Sequence, residues 1–148
     1  MGLLDAGPEV GRPLGVTLLA ALYLFFLLVS ASTFGNPYPL FGQIQSGQTA
    51  RFLVLADSVF CLYLFLGVLK RQRLTWYLLL GYNLLQMGNT ICNLYCIPLA
   101  EIEALTGSQV SRDALWTNNI AAALAMLLLT QYIFRHRDFF PNRSRYLF

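Results

Sequence analysis

Charge is scarce in this chain. Asp, Glu, Lys and Arg together make up 11% of its 148 residues, where a soluble domain carries about 25%. Seven acids and ten bases supply too little polar surface for a water-soluble globule of this length. The same scarcity excludes a highly charged disordered chain and argues against a nucleic-acid partner. Cysteine and histidine are scarce too. Three cysteines exclude a disulfide scaffold. The single histidine, His136, excludes a bis-histidine haem, and no His/Cys/carboxylate set has zinc spacing. No GxGxxG, P-loop, HExxH or GxSxG pattern occurs. No cofactor is therefore expected, and the balance is against an enzyme.

What the chain has in quantity is apolar length: 57% of residues are hydrophobic. A helix needs about 20 mostly apolar residues to cross a hydrocarbon core about 30 Å thick. Four stretches qualify: Leu14–Phe34, Phe52–Leu69, Leu74–Leu99 and Ala114–Phe134. They do not alternate as barrel strands would, and lipid leaves unpaired backbone no other partner. The expectation is an all-α, four-helix transmembrane bundle forming a single domain over residues 1–148. The connections are short. Residues 35–51 are rich in turn formers, with Asn36, Pro37, Pro39, Gly42 and Gly47, and residues 70–73 (KRQR) make a tight hairpin.

Basic residues set the orientation. Arg12, Lys70, Arg71, Arg73, Arg135, Arg137, Arg143 and Arg145 fall on one side of a four-span chain, against Arg51 and Arg112 on the other. Both termini are therefore expected in the cytoplasm. Nine arginines beside one lysine suggest a GC-rich bacterial genome, and the expected location is a bacterial inner membrane. Ser30, Ala31 and Ser32 resemble a signal-peptide cleavage site, but the apolar run before them is long and Asp5 and Glu9 precede it. The first span is expected to be retained. Residues 135–148 mix arginines with Phe139, Phe140, Tyr146, Leu147 and Phe148, as a membrane-surface anchor or a partner-docking tail would.

Polar residues inside the spans are the candidates for function. Asp57, five residues into its apolar stretch, is expected about 8 Å below the outer surface at 1.5 Å per residue. Asn83, Gln86, Asn89, Thr90 and Asn93 fall within an arc of about 120° on the third span. Depth arithmetic brings Asn89, Asn93 and either Asn118 or Asn119 to the level of Asp57, with Ser30 and Ser32 nearby. The expectation is an outward-facing polar cluster that either ties the helices together or binds a small ligand. Cys92 and Cys96 share one side of a helix at i, i+4 and are a candidate redox pair. The hydroxyls of Tyr23, Tyr63, Tyr82 and Tyr95 need partners inside the spans, and the amide stripe offers some.

The opening RPLGVTLLAALY resembles the first helix of many small, uncharacterised prokaryotic membrane proteins; the likeness covers these residues alone and implies no function. The span count is similar to that of small multidrug transporters, whose key glutamate lies in the first span, where this chain has no charge. It is similar also to the vitamin K epoxide reductase family, which sets four helices around a quinone but relies on a CxxC pair that Cys92 and Cys96 do not reproduce. Membership of neither is assigned. Tiny loops and the lack of a catalytic set lead instead to a non-enzymatic accessory or structural subunit. Such a subunit would work in the lipid bilayer as a homo-oligomer or within a larger membrane complex. The alternative is a small transporter or a ligand-, lipid- or quinone-binding membrane protein using Asp57 and the third-span amides.

Overall fold

The computed structural model describes residues 13–144 and residue 146; Arg12 and Arg145, among the orienting arginines, lie outside that range. Helix accounts for 76% of the described residues. The order is α1 (Leu14–Ser32), a β1–β2 hairpin (Tyr38–Leu40 and Gln43–Gln45), α2 (Gly47–Leu69), α3 (Arg73–Cys96), α4 (Leu99–Thr106) and α5 (Arg112–Arg135).

Local chemistry accounts for the boundaries. Helix α3 stops at Cys96 because Pro98 holds Ile97 extended at φ −84°, ψ 120°. Pro98 then caps α4, which ends at Gly107 in the left-handed region at φ 66°. Helix α2 closes with two reversed bonds, Arg71 N–H to Val68 O and Gln72 N–H to Gly67 O, both 3.0 Å. This is the Schellman pattern, but Arg71 occupies the left-handed position at φ 54°, where glycine is usual. Helix α5 has Asp113 in its first turn and Arg135 in its last, in accord with the helix dipole.

Helices α1, α2 and α5 are each long and apolar enough to cross a membrane. Helix α3 has the same 24 residues as α5 but carries the amide stripe, so the apolar criterion falls on three helices rather than the four expected. Three further differences stand against the sequence reading. The third stretch breaks at Pro98, and its last residue starts a separate helix. A two-stranded hairpin occupies the first connection of a fold expected to be all-α. Helix α2 also begins at Gly47 rather than Phe52, because Gln48, Thr49 and Arg51 extend it beyond its apolar run.

The helices pair as α1 on α2 and α3 on α5, with a thinner α2–α3 seam. The core lies at the end holding the α2–α3 turn, where Val16, Tyr23, Leu64, Val68, Trp76, Leu79, Ile133 and Phe140 are buried together. A Cβ on Gly67 would collide with the Thr75 side chain, so α2 and α3 touch backbone to side chain at this end. Trp76 Nε1 donates to the Ile133 carbonyl at 2.9 Å, binding α3 to α5. Outward, α1 exposes Leu18, Phe25 and Leu28, α2 exposes Phe52, Leu55 and Val59, and α5 exposes Leu124, Leu128 and Phe134. Apolar exposure on this scale suits contact with lipid or another membrane protein.

Gly67→Ala is expected to destabilise the protein by about 1–3 kcal/mol through overpacking against Thr75. Gly81→Ala meets nothing within 4 Å and should be neutral or slightly stabilising. Denaturant unfolding in detergent micelles, followed by circular dichroism, measures both.

Candidate functional site

Helix geometry decides which polar residues meet. Asp57 lies ten residues into α2, about 15 Å from the start of the helix at 1.5 Å per residue, rather than the five residues counted from the apolar run. Gln86 lies ten residues before the end of α3, and Ala122 ten residues into α5. These three share a level, and Asn93, Asn118 and Asn119 do not.

The Asp57 carboxylate accepts three hydrogen bonds. Ser30 on α1 donates its hydroxyl to Oδ2 at 2.7 Å. Tyr82 and Gln86 on α3 donate to Oδ1 at 3.0 Å and 3.2 Å. Ser58 Oγ lies 3.1 Å from Ser30 Oγ, and Cys61 Sγ lies 3.2 Å from the Tyr82 hydroxyl. Three helices thus converge on one acid through neutral donors.

Two hollows meet at Asp57. The first, about 330 Å³, is lined from all four long helices and the hairpin, including Phe26, Ser30, Tyr38, Asp57, Gln86 and Met126. None of its described lining residues is basic. The second, about 540 Å³, is a lateral groove between α2 and α3 lined by Ala56, Asp57, Phe60, Tyr77, Leu78, Gly81, Tyr82 and Leu85. Apart from Asp57 and the two tyrosines, that lining is apolar. Burial, and then the charge of Asp57, push the Tyr38 hydroxyl above the ordinary tyrosine range, with Gln86 working the other way. Tyr38 therefore stays protonated and able to donate at neutral pH.

Asn89 and Asn93 serve the hairpin. Register pairs Leu40 with Gln43, so Phe41 and Gly42 form a two-residue turn. Both have positive φ, 45° and 82°, as a type I′ turn requires. The two N–H groups of such a turn point away from the ladder and need acceptors. Asn89 Oδ1 accepts from Phe41 N–H and Asn93 Oδ1 from Gly42 N–H, each at 2.7 Å. Both side-chain amides donate back to the Pro39 carbonyl at 3.3 Å. One helical turn separates the two asparagines, which matches the spacing of the two turn amides. A Cβ on Gly42 would strike Cys96, so glycine is required there by space as well as by φ.

The remaining expected residues fall elsewhere. Asn83 is fully buried and accepts the Tyr23 hydroxyl at 2.7 Å, tying α3 to α1; its Nδ2 has no hydrogen-bond partner among the described residues. Asn119 donates to the Leu115 carbonyl of its own helix at 2.8 Å. It lines a neighbouring hollow of about 380 Å³ with Asn89, Asn93 and residues of α4. Asn118 is exposed. At the level of Asp57, α5 offers Ala122 and Ala123, so no amide of α5 joins the carboxylate. Ser32 bonds back to the Val29 carbonyl. Cys92 and Cys96 are free thiols, as is Cys61. Tyr82 and Ser58, which complete the Asp57 network, belong to no motif; the need of an intramembrane hydroxyl for a partner was the one signal pointing to Tyr82.

Replacing Asn89 and Asn93 together by Ala leaves the Phe41 and Gly42 amides without acceptors. These bonds are partly buried, and losing each costs about 1 kcal/mol, so residues 38–45 should exchange amide hydrogens at least tenfold faster while α1, α2 and α3 keep their protection. Hydrogen-exchange mass spectrometry in detergent or nanodiscs reads this directly.

Comparison with protein-family models, with curated proteins and with solved structures finds no match for the chain.

Proposed function

We propose that this is a four-helix integral membrane protein of a bacterial inner membrane that binds a small amphiphile with a cationic, hydrogen-donating head at Asp57. The carrying observation is the position of the carboxylate, which forms part of the wall of both the inter-helix cavity and the lateral groove. A carboxylate has about four acceptor sites. Ser30, Tyr82 and Gln86 occupy three of them, which leaves capacity for a donor from a ligand. The described lining offers no cation to offset the charge, so a protonated amine complements it. The groove between α2 and α3 suits the apolar part of such a ligand, and its outer side adjoins the lipid-facing surface of α2. Entry from the bilayer is consistent with a ligand that partitions there first.

The topology belongs to the same proposal. Helix α3 crosses as the third span with its amides turned inward, where they engage Asp57, Tyr23 and the hairpin instead of lipid. Lys70, Arg71, Arg73, Arg135, Arg137 and Arg143 gather at one end of the bundle, and Arg51 and Arg112 begin α2 and α5 at the other. The positive-inside rule then sets both termini in the cytoplasm and the hairpin outside. Single cysteines placed at Gln45 or Ser108, on a background with Cys61, Cys92 and Cys96 changed to Ser, should react with a membrane-impermeant maleimide in intact cells. One at Ser144 should react only after permeabilisation.

A second reading is the accessory subunit of a membrane assembly. It is favoured by α5, of which Ile133 alone is buried, leaving a long apolar face for a homo-oligomer or a larger partner. The two readings are compatible, since a ligand-binding subunit can also assemble.

Ligand binding has a direct test in nanodiscs. Decylammonium should bind the wild-type protein saturably, and decanol should bind at least tenfold more weakly. Asp57→Asn should abolish the preference for the amine while the protein still inserts and unfolds at a similar temperature. Equal binding of amine and alcohol, or an unchanged preference in Asp57→Asn, would overturn the reading.

A further inference from the structure

The chain beyond α5 folds back onto the α2–α3 turn. A short 3-10 turn over Arg137–Phe139 leads into a segment paired with the turn in both directions. Asn142 N–H donates to the Arg71 carbonyl at 3.1 Å, and Arg73 N–H donates to the Asn142 carbonyl at 2.7 Å. Arg71 Nε reaches the Phe139 carbonyl at 2.7 Å, and Gln72 Nε2 reaches that of Tyr146 at 2.7 Å. Phe140 is 2% exposed and fixes the segment in the core.

This return builds a basin. Arg73, the first residue of α3, faces Arg137 and Arg143 from the returning segment across a hollow of about 470 Å³, completed by Asp138, Phe140 and Pro141. Arg137 is held in place from one side: its guanidinium lies 5.2 Å over the Trp76 ring and donates to the Tyr77 hydroxyl at 3.3 Å. The start of α3 adds the positive end of a helix dipole at Arg73. Three arginines against one aspartate leave the lining net positive. The positive-inside rule accounts for basic residues at this end, but not for three of them converging on one hollow.

We propose that this basin binds a phosphate group. A guanidinium fork matches the geometry of phosphate oxygens, and several forks around one site bind phosphate more selectively than scattered surface charge. Asp138 limits the net charge the basin accepts, which favours a phosphodiester or a single phosphate over a polyphosphate. At the end of the bundle assigned to the cytoplasmic surface, the headgroup of an anionic phospholipid supplies such a group; free phosphate shares the chemistry. The proposal does not depend on the Asp57 reading.

The test is native mass spectrometry of the full-length, delipidated protein. Phosphatidylglycerol, a neutral diacylglycerol and sodium phosphate are each added back. Wild type should retain phosphatidylglycerol over diacylglycerol, and Arg73→Gln/Arg137→Gln/Arg143→Gln should lose that preference by on the order of tenfold or more. Displacement of the lipid by millimolar phosphate would identify free phosphate as an equivalent ligand; resistance to it would identify the lipid. Arg143→Gln alone alters an exposed residue and keeps the test valid if the triple variant does not fold; it should weaken retention severalfold. Arg51→Gln/Arg112→Gln, at the opposite end, should leave retention unchanged. Equal retention in wild type and the basin variants would overturn the proposal. So would an equal loss in the Arg51/Arg112 variant, because general charge would then suffice.

Discussion

A carboxylate in the middle of an apolar helix has to be solvated by its neighbours. An acid at such a depth costs roughly 2.5–3.5 kcal/mol to insert, and lipid offers it no donor. Asp57 finds Ser30 on one side and Tyr82 and Gln86 on the other, and these contacts fix how α1, α2 and α3 stand against one another. A shift of α3 by a single residue would turn Tyr82 and Gln86 away by about 100°. The network continues through Ser58 and Cys61, so the acid sits at the centre of a polar seam crossing three helices. All its donors are neutral. Among the described residues the carboxylate is therefore solvated without being paired to a cation.

Packing divides the molecule into two halves. At the end with the α2–α3 turn, glycine contacts, Trp76 and the returning C-terminal segment close the bundle tightly. At the other end the helices separate around hollows, and the hairpin covers them. The amide ladder of α3 serves both halves. Asn83 reaches α1 in the core, Gln86 reaches Asp57 at the boundary, and Asn89 and Asn93 hold the hairpin. One helix face thereby couples the closed end to the open one. Its amides also explain why α3 alone of the four long helices lacks an apolar stretch long enough to meet the membrane-span criterion, while being central to their assembly.

The helices were largely legible, because long uncharged runs bounded by basic residues and prolines leave few other structures in lipid. Their polar ends were not. Gln48, Thr49 and Arg51 continue α2 beyond its apolar run, so counting from the apolar run set Asp57 level with the wrong residues of α3 and α5. The expectation of Asn89, Asn93 and Asn118 or Asn119 beside the acid gave way to Gln86, Tyr82 and Ser30, of which Ser30 alone was expected near its level. The hairpin escaped notice because Phe41 stands at a turn position where asparagine or aspartate is the usual signal. Two asparagines from α3 supply the hydrogen bonds that let a bulky residue hold positive φ there. The docking of the tail was equally hidden, since Arg71 takes a position normally marked by glycine and pairs with a carbonyl 68 residues away.

The most direct test of the central claim is native mass spectrometry of the protein released gently from its own membrane, comparing wild type with Asp57→Asn. The account predicts a small basic amphiphile carried by the wild type and missing from the variant, with oligomeric state and bound phospholipid unchanged. An identical set of bound small molecules in the two proteins, or none in either, would contradict it.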